Sequence, residues 1–153
     1  MIKILFICHG NICRSPMAEF VMKELVKKNG LEKDFYTASA ATSNEEIGNG
    51  VYPPVKRLLN NRGISCEGKR AVRVTKGDYD YYDYLICMDS NNIRNLYRII
   101  GTDPKNKVSK LMDYTNSPAD VADPWYTDDF ETTEQDINKG CEALLKHILN
   151  NHN

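Results

Sequence analysis

Ile2-Lys3-Ile4-Leu5-Phe6-Ile7-Cys8-His9-Gly10-Asn11-Ile12-Cys13-Arg14-Ser15-Pro16-Met17-Ala18-Glu19-Phe20-Val21 opens the chain, and the order of residue types in it decides the fold class. The apolar run Ile2–Ile7 ends at a Gly-Asn turn signal, which suits a buried strand. From Ser15 onward the apolar residues recur at helical spacing. Ser15 suits the N-cap, Pro16 the first turn and Gly30 the C-terminal stop. The chain therefore begins strand, short loop, helix.

Further along, the same grammar repeats. Phe35–Ala41, Tyr84–Met88 and the short Val108–Met112 read as strands. Pro54–Arg62, stopped by Gly63, reads as a helix, as do Ser90–Ile100 and Thr132–Asn150, the last with Ile137, Cys141, Leu144, Leu145 and Ile148 on one face. Alternating strands and helices predict an α/β fold with a parallel sheet covered on both faces. Ligands of such sheets bind beyond the carboxyl ends of the strands, where Cys8 lies. With no internal repeat and no Pro/Gly-rich linker, residues 1–153 read as a single domain.

Composition narrows the function classes. Charged residues make up 27% of the chain and the formal net charge is −1, so nothing calls for a nucleic acid or a membrane surface as partner. Five cysteines, an odd number at low density, do not form a secreted disulfide framework, and no Cys or His pair is spaced for a metal site. The N-terminal apolar run is too short for a signal peptide or a membrane span. A cytoplasmic protein with reduced thiols, no metal and no cofactor is expected.

The loop His9-Gly10-Asn11-Ile12-Cys13-Arg14 has the physics of an oxyanion site. A tight turn between strand and helix aims several backbone N–H groups at one point, next to the positive end of the helix. Gly10 permits unusual dihedrals, and Asn11 tolerates the left-handed region. Arg14 supplies a planar fork matched to two phosphate oxygens. The same field favours a thiolate at Cys8, a nucleophile that the Ser15 hydroxyl can stabilise. Cys and Arg six residues apart can also be a core thiol and a surface charge, but that reading does not explain the order strand, Gly-Asn loop, Arg, Ser-Pro helix start.

A second constellation is Val121-Ala122-Asp123-Pro124-Trp125-Tyr126. Phenol has a pKa of about 10, so expelling it near neutral pH benefits from a proton donor. Asp123 is one candidate, with Trp125 and Tyr126 able to wall a pocket for an aromatic ring. Asp-Pro is also a turn signal, and Asp113, Asp120, Asp128 and Asp129 are rivals in sequence.

Cys8 through Glu19, together with Ser39 in Ala38-Ser39-Ala40-Ala41, Leu85-Ile86-Cys87-Met88-Asp89 and Asp123-Pro124-Trp125-Tyr126, closely resembles the low-molecular-weight protein tyrosine phosphatases. The resemblance spans nearly the whole chain. It implies a four-stranded parallel sheet flanked by helices on both faces, with the phosphate-binding loop after the first strand. It implies hydrolysis of phosphotyrosine in proteins through a metal-free phosphocysteine on Cys8, with Asp123 as general acid and then base. Inorganic phosphate or another oxyanion would occupy the loop, and Asn11, Ser15 and Ser39 would support it.

Two positions depart from the pattern. Where relatives carry a loop-supporting histidine before a Thr-Lys-x-Asp stretch, this chain has Lys69. Where many carry an aromatic at the pocket rim, it has Glu45-Glu46, which leaves Trp125 and Tyr126 on one side. An acidic rim is expected, joined by Asp128, Asp129 and Glu131. Cys13 either forms a protective disulfide with Cys8 or packs beneath the loop. Tyr79–Tyr84 reads as alternating half-buried tyrosines. The alternatives to a phosphatase are an arsenate reductase on the same fold, which needs a cysteine relay, and a phosphocysteine phosphate carrier, which needs no acid.

Overall fold

In the computed structural model, which describes residues 1–152, the N-terminal apolar run forms β1, Ile2–Cys8, and the loop after it leads into α1, Arg14–Lys28. There follow β2 (Phe35–Ala41), α2 (Pro53–Asn61), the single turn α3 (Asp78–Tyr81), β3 (Tyr84–Cys87), α4 (Ser90–Ile100) and β4 (Val108–Lys110). The single turn α5 (Pro124–Thr127) and the long α6 (Phe130–Asn151) complete the chain. The four strands pair in parallel in the order β2-β1-β3-β4.

Period-two alternation along β1 divides the core. Ile4, Phe6 and Cys8 face the cluster built with Met17, Val21, Ile137 and Leu144 of α1 and α6. Leu5 and Ile7 face the cluster of Leu85, Leu96 and Ile100 against α4. The chain leaves β1 for β2 on one side and returns to β3 on the other. The order therefore reverses at β1, and the crevice at that switch point opens above Cys8. Among the described residues no helix is long and apolar enough to cross a membrane.

Several boundaries differ from the sequence reading. The strand expected over Val108–Met112 stops at Lys110. Leu111 and Met112 turn into the core through a 3-10 turn, closed by the Lys110 N–H donating to Asp113 Oδ2 at 3.0 Å. The tyrosine run does not alternate. It makes one helical turn, so Tyr79 and Tyr82, three apart, are buried while Tyr81 is exposed. The last helix starts at Phe130 because the Asp129 carboxylate caps it, accepting from the Thr132 N–H.

Helix α6 comes close to the 3-10 turn at Gly140. A Cβ there would overlap the Leu111 side chain, which is fully buried. Gly140→Ala should therefore destabilise the fold by about 1–3 kcal/mol despite the better helix propensity of alanine. Urea unfolding of the two proteins measures this.

Candidate active site

β1 ends at Cys8 and α1 begins at Arg14, so the five intervening residues must curl tightly. Asn11 makes this curl, with φ 61° in the left-handed region. Its N–H points at Cys8 Sγ, 3.3 Å away. Its side-chain amide donates to Ser15 Oγ at 2.8 Å and Ser39 Oγ at 3.0 Å, and its Oδ1 accepts from the Val72 N–H at 3.1 Å. Because Ser15 Oγ accepts from Asn11, its own proton is free for Cys8 Sγ, 3.0 Å away.

Ser15 is thus not the N-cap. Helix α1 starts two residues earlier, with Cys13 at the cap position and no side chain bonding its first amides. A serine cap would have occupied one of the free N–H groups at the helix start. Ser15 instead serves the sulfur, and those amides remain open toward an anion.

The network continues beneath the loop. Ser39 Oγ donates to Glu19 Oε1 at 2.5 Å, and Glu19 Oε2 accepts from Lys23 at 2.6 Å. Lys69 Nζ donates to the Ser39 carbonyl at 2.9 Å and lies 3.7 Å from Glu19 Oε1. Lys69 therefore completes the support at the place where the resemblance led one to look for a histidine. Burial lowers its pKa, with the Glu19 charge opposing.

Arg14 is only 2% exposed. Its Nη1 donates to Asp89 Oδ2 at 2.7 Å and to the Val121 carbonyl at 2.8 Å, while Nη2 lies 3.5 Å from Asp123 Oδ2. Burial works against its charge, but the Cys8 sulfur, Asp89 and Asp123 outweigh it and raise its pKa. The other oxygen of Asp89 accepts from the Asn92 N–H and caps α4, so one carboxylate fixes both a helix and the guanidinium. Asp123 caps α5, accepting from the Trp125 N–H at 3.0 Å. Of the five candidate acids, it is Asp123 that lines the mouth above Cys8.

The mouth is a cavity of about 120 Å³ with Cys8, Cys13 and Arg14 at its base. Glu45, Glu46, Trp125 and Tyr126 line it as well, with Trp125 packed on Tyr52 at 5.1 Å between ring centroids. His9 is a rim residue, its Nε2 bonded to Glu45 Oε2 at 3.0 Å. Asp128, Asp129 and Glu131 do not join this rim as expected. The left-handed turn at Asp128 and the cap at Asp129 carry them to a separate groove beside Pro54 and Arg57.

All five cysteines are free and buried. Burial, then the negative charges of Cys8 and Asp123, pushes the Cys13 thiol up to about 12. Burial likewise raises Cys66, Cys87 and Cys141. The structure thus brings together Cys8, His9, Gly10, Asn11, Ile12, Cys13, Arg14, Ser15, Ser39, Glu45, Asp123, Trp125 and Tyr126. Sequence reasoning assigned no part to Glu19, Asp89 or Tyr52. Glu19 carried a signal, being a charge on the helix face that also holds Ser15 and Met22. So did Asp89, an N-cap residue directly after a buried strand.

Comparison with known proteins agrees with this geometry. Residues 3–153 match the family model described as low molecular weight phosphotyrosine protein phosphatase. The chain is 42% identical over 150 residues to the low molecular weight protein-tyrosine-phosphatase YfkJ of Bacillus subtilis, covering 97% of this chain and 96% of that one. The crystal structure of YfkJ superposes with a TM-score of 0.95 over 100% of this chain and 98% of that chain, at 41% identity. The chain is also 38% identical over 155 residues to the low molecular weight phosphotyrosine protein phosphatase of Gallus gallus, covering 94% of this chain and 93% of that one.

Iodoacetate near neutral pH should place one carboxymethyl group, on Cys8, and phosphate should slow the reaction; peptide mapping reads both. Cys13 remains a thiol there and should be spared. Lys69→Met should destabilise the fold by about 1–3 kcal/mol in urea, since the Glu19 carboxylate and the Ser39 carbonyl lose a buried partner.

Proposed function

The chain belongs to the low molecular weight phosphotyrosine protein phosphatase family, whose members are hydrolases, and we propose that it cleaves phosphotyrosine in proteins by way of a phosphocysteine on Cys8. The observation that carries this reading is the pair of hydrogen bonds offered to Cys8 Sγ, from the Asn11 N–H and the Ser15 hydroxyl. Both stabilise a sulfur anion, first as nucleophile and later as leaving group.

In the first step Cys8 Sγ attacks phosphorus in line, the bond from phosphorus to the phenolic oxygen breaks, and Asp123 gives that oxygen its proton. The loop amides of His9, Gly10, Asn11, Ile12, Cys13 and Arg14 face the phosphoryl oxygens. Arg14 Nη1 is committed to Asp89 and Val121, so Nε and Nη2 are the donors left for the anion. As phosphate takes up the guanidinium, the contact of Arg14 Nη2 with Asp123 gives way and the Asp123 side chain is released toward the leaving oxygen. In the second step Asp123, now a carboxylate, takes a proton from water. The water oxygen bonds to phosphorus, the bond from sulfur to phosphorus breaks and inorganic phosphate leaves. Trp125 and Tyr126 pack against the substrate ring, with Glu45 at the same mouth. Reduced Cys8 is required, which fits the cytoplasm, and Cys13 is the partner for a protective disulfide.

The two alternatives have less support. Cys66, Cys87 and Cys141 are buried away from the mouth, which suits no relay to an arsenate reductase. Asp123 at the mouth has no task in a phosphate carrier.

Cys8→Ser should lower kcat by about a thousandfold or more while the protein stays folded and still binds phosphate. Arg14→Lys should be severely impaired, since a point charge cannot reproduce the fork. Asp123→Ala should cost about a hundredfold or more with phenyl phosphate and far less with p-nitrophenyl phosphate, whose leaving group needs no proton. Equal losses on the two substrates would place the acid elsewhere, and activity that survives Cys8→Ser or disappears with EDTA would refute the mechanism.

A further inference from the structure

We infer that the mouth selects phosphotyrosines with an arginine or lysine beside them in the polypeptide. This rests on the catalytic reading above and narrows its substrate class. Glu46 lies against the phosphate loop: a Cβ on Gly10 would stand 3.3 Å from Glu46 Cγ. Its carboxylate accepts at 2.6 Å from the Asn49 side-chain amide, a neutral donor that leaves its charge uncompensated. Glu45 is largely exposed and meets only the His9 imidazole. Arg14, the remaining cation of this lining, is buried at the base and committed to Asp89.

The aromatic residues of the same mouth supply a second, independent feature. Trp125 is 54% and Tyr126 84% exposed, and Trp125 is braced from behind by Tyr52. Carboxylates and exposed aromatic rings lining one mouth are the chemistry that holds an ammonium or guanidinium, by charge pairing and ring contact. With phosphate in the cradle and the phenyl ring in the mouth, the neighbouring side chains of the substrate cross this rim. A basic one finds Glu46 and an aromatic face, whereas an acidic one finds Glu46 and no free cation among the described lining residues.

The test compares kcat/KM for matched phosphotyrosine peptides with arginine or glutamate flanks, in the wild type and in Glu45→Gln/Glu46→Gln, at low and high salt. The wild type should prefer the arginine peptide by about three- to tenfold. The ratio should fall toward one in the double variant, and also near 1 M salt, where the Debye length is about 3 Å. Tyr126→Ala should reduce the ratio in part. Phenyl phosphate, which has no flanks, separates the two levels. If the wild type fails to hydrolyse it, the catalytic reading falls and this inference with it. If it is hydrolysed but the peptides show no preference, the reverse preference, or one untouched by the substitutions and by salt, the inference alone is overturned.

Discussion

A left-handed turn at Asn11 is the constraint on which the site depends. That conformation closes the loop between β1 and α1 tightly enough to aim an N–H at Cys8. The Asn11 side chain holds it there by three bonds, to Ser15, Ser39 and Val72, which belong to α1, β2 and the segment before α3. Glycine could adopt the same dihedral but would leave Ser15 and Ser39 without their donor. A larger β-branched residue would be strained at this φ. The backbone angle and the side-chain bonds therefore require one residue type together.

Charge is arranged around that turn in two tiers. Below the loop, Glu19 is held by Ser39, Lys23 and Lys69, so a buried carboxylate is compensated within the core. Above it, Arg14 joins Asp89 at the end of β3 to the loop that carries Asp123. The guanidinium thus positions Asp123 relative to the sulfur. Separating the tiers keeps Lys69 beneath the loop and leaves Arg14 as the cation at the base of the cavity.

Much of this was legible in the sequence because local patterns govern it. β2 and α4 fall where apolar spacing put them, and the loop followed from Gly, Asn, Arg and Ser in order. What escaped depends on contacts distant in sequence. The Ser15 hydroxyl had two competing partners, a helix amide and the Cys8 sulfur, and only the path of β1 into the loop decides between them. Lys69 finds Glu19 across 50 positions. Asp128 and Asp129, five and six residues after the acid, turn away because α6 needs a cap. The single turns α3 and α5 are too short to imprint a helical period on the residue pattern.

β1 is bonded along its length to β2 on one side and over Ile4–Ile7 to β3 on the other, and both of its faces are covered. A strand so placed exchanges its amide hydrogens by global unfolding, whereas an edge strand such as β4 can fray. Cys8 stands at the end of this covered strand. Thermal breathing of the periphery therefore opens no side route to the sulfur. Oxidants and alkylating reagents must enter by the doorway that admits substrate, so the size and charge of that doorway govern damage to the enzyme as well as its turnover.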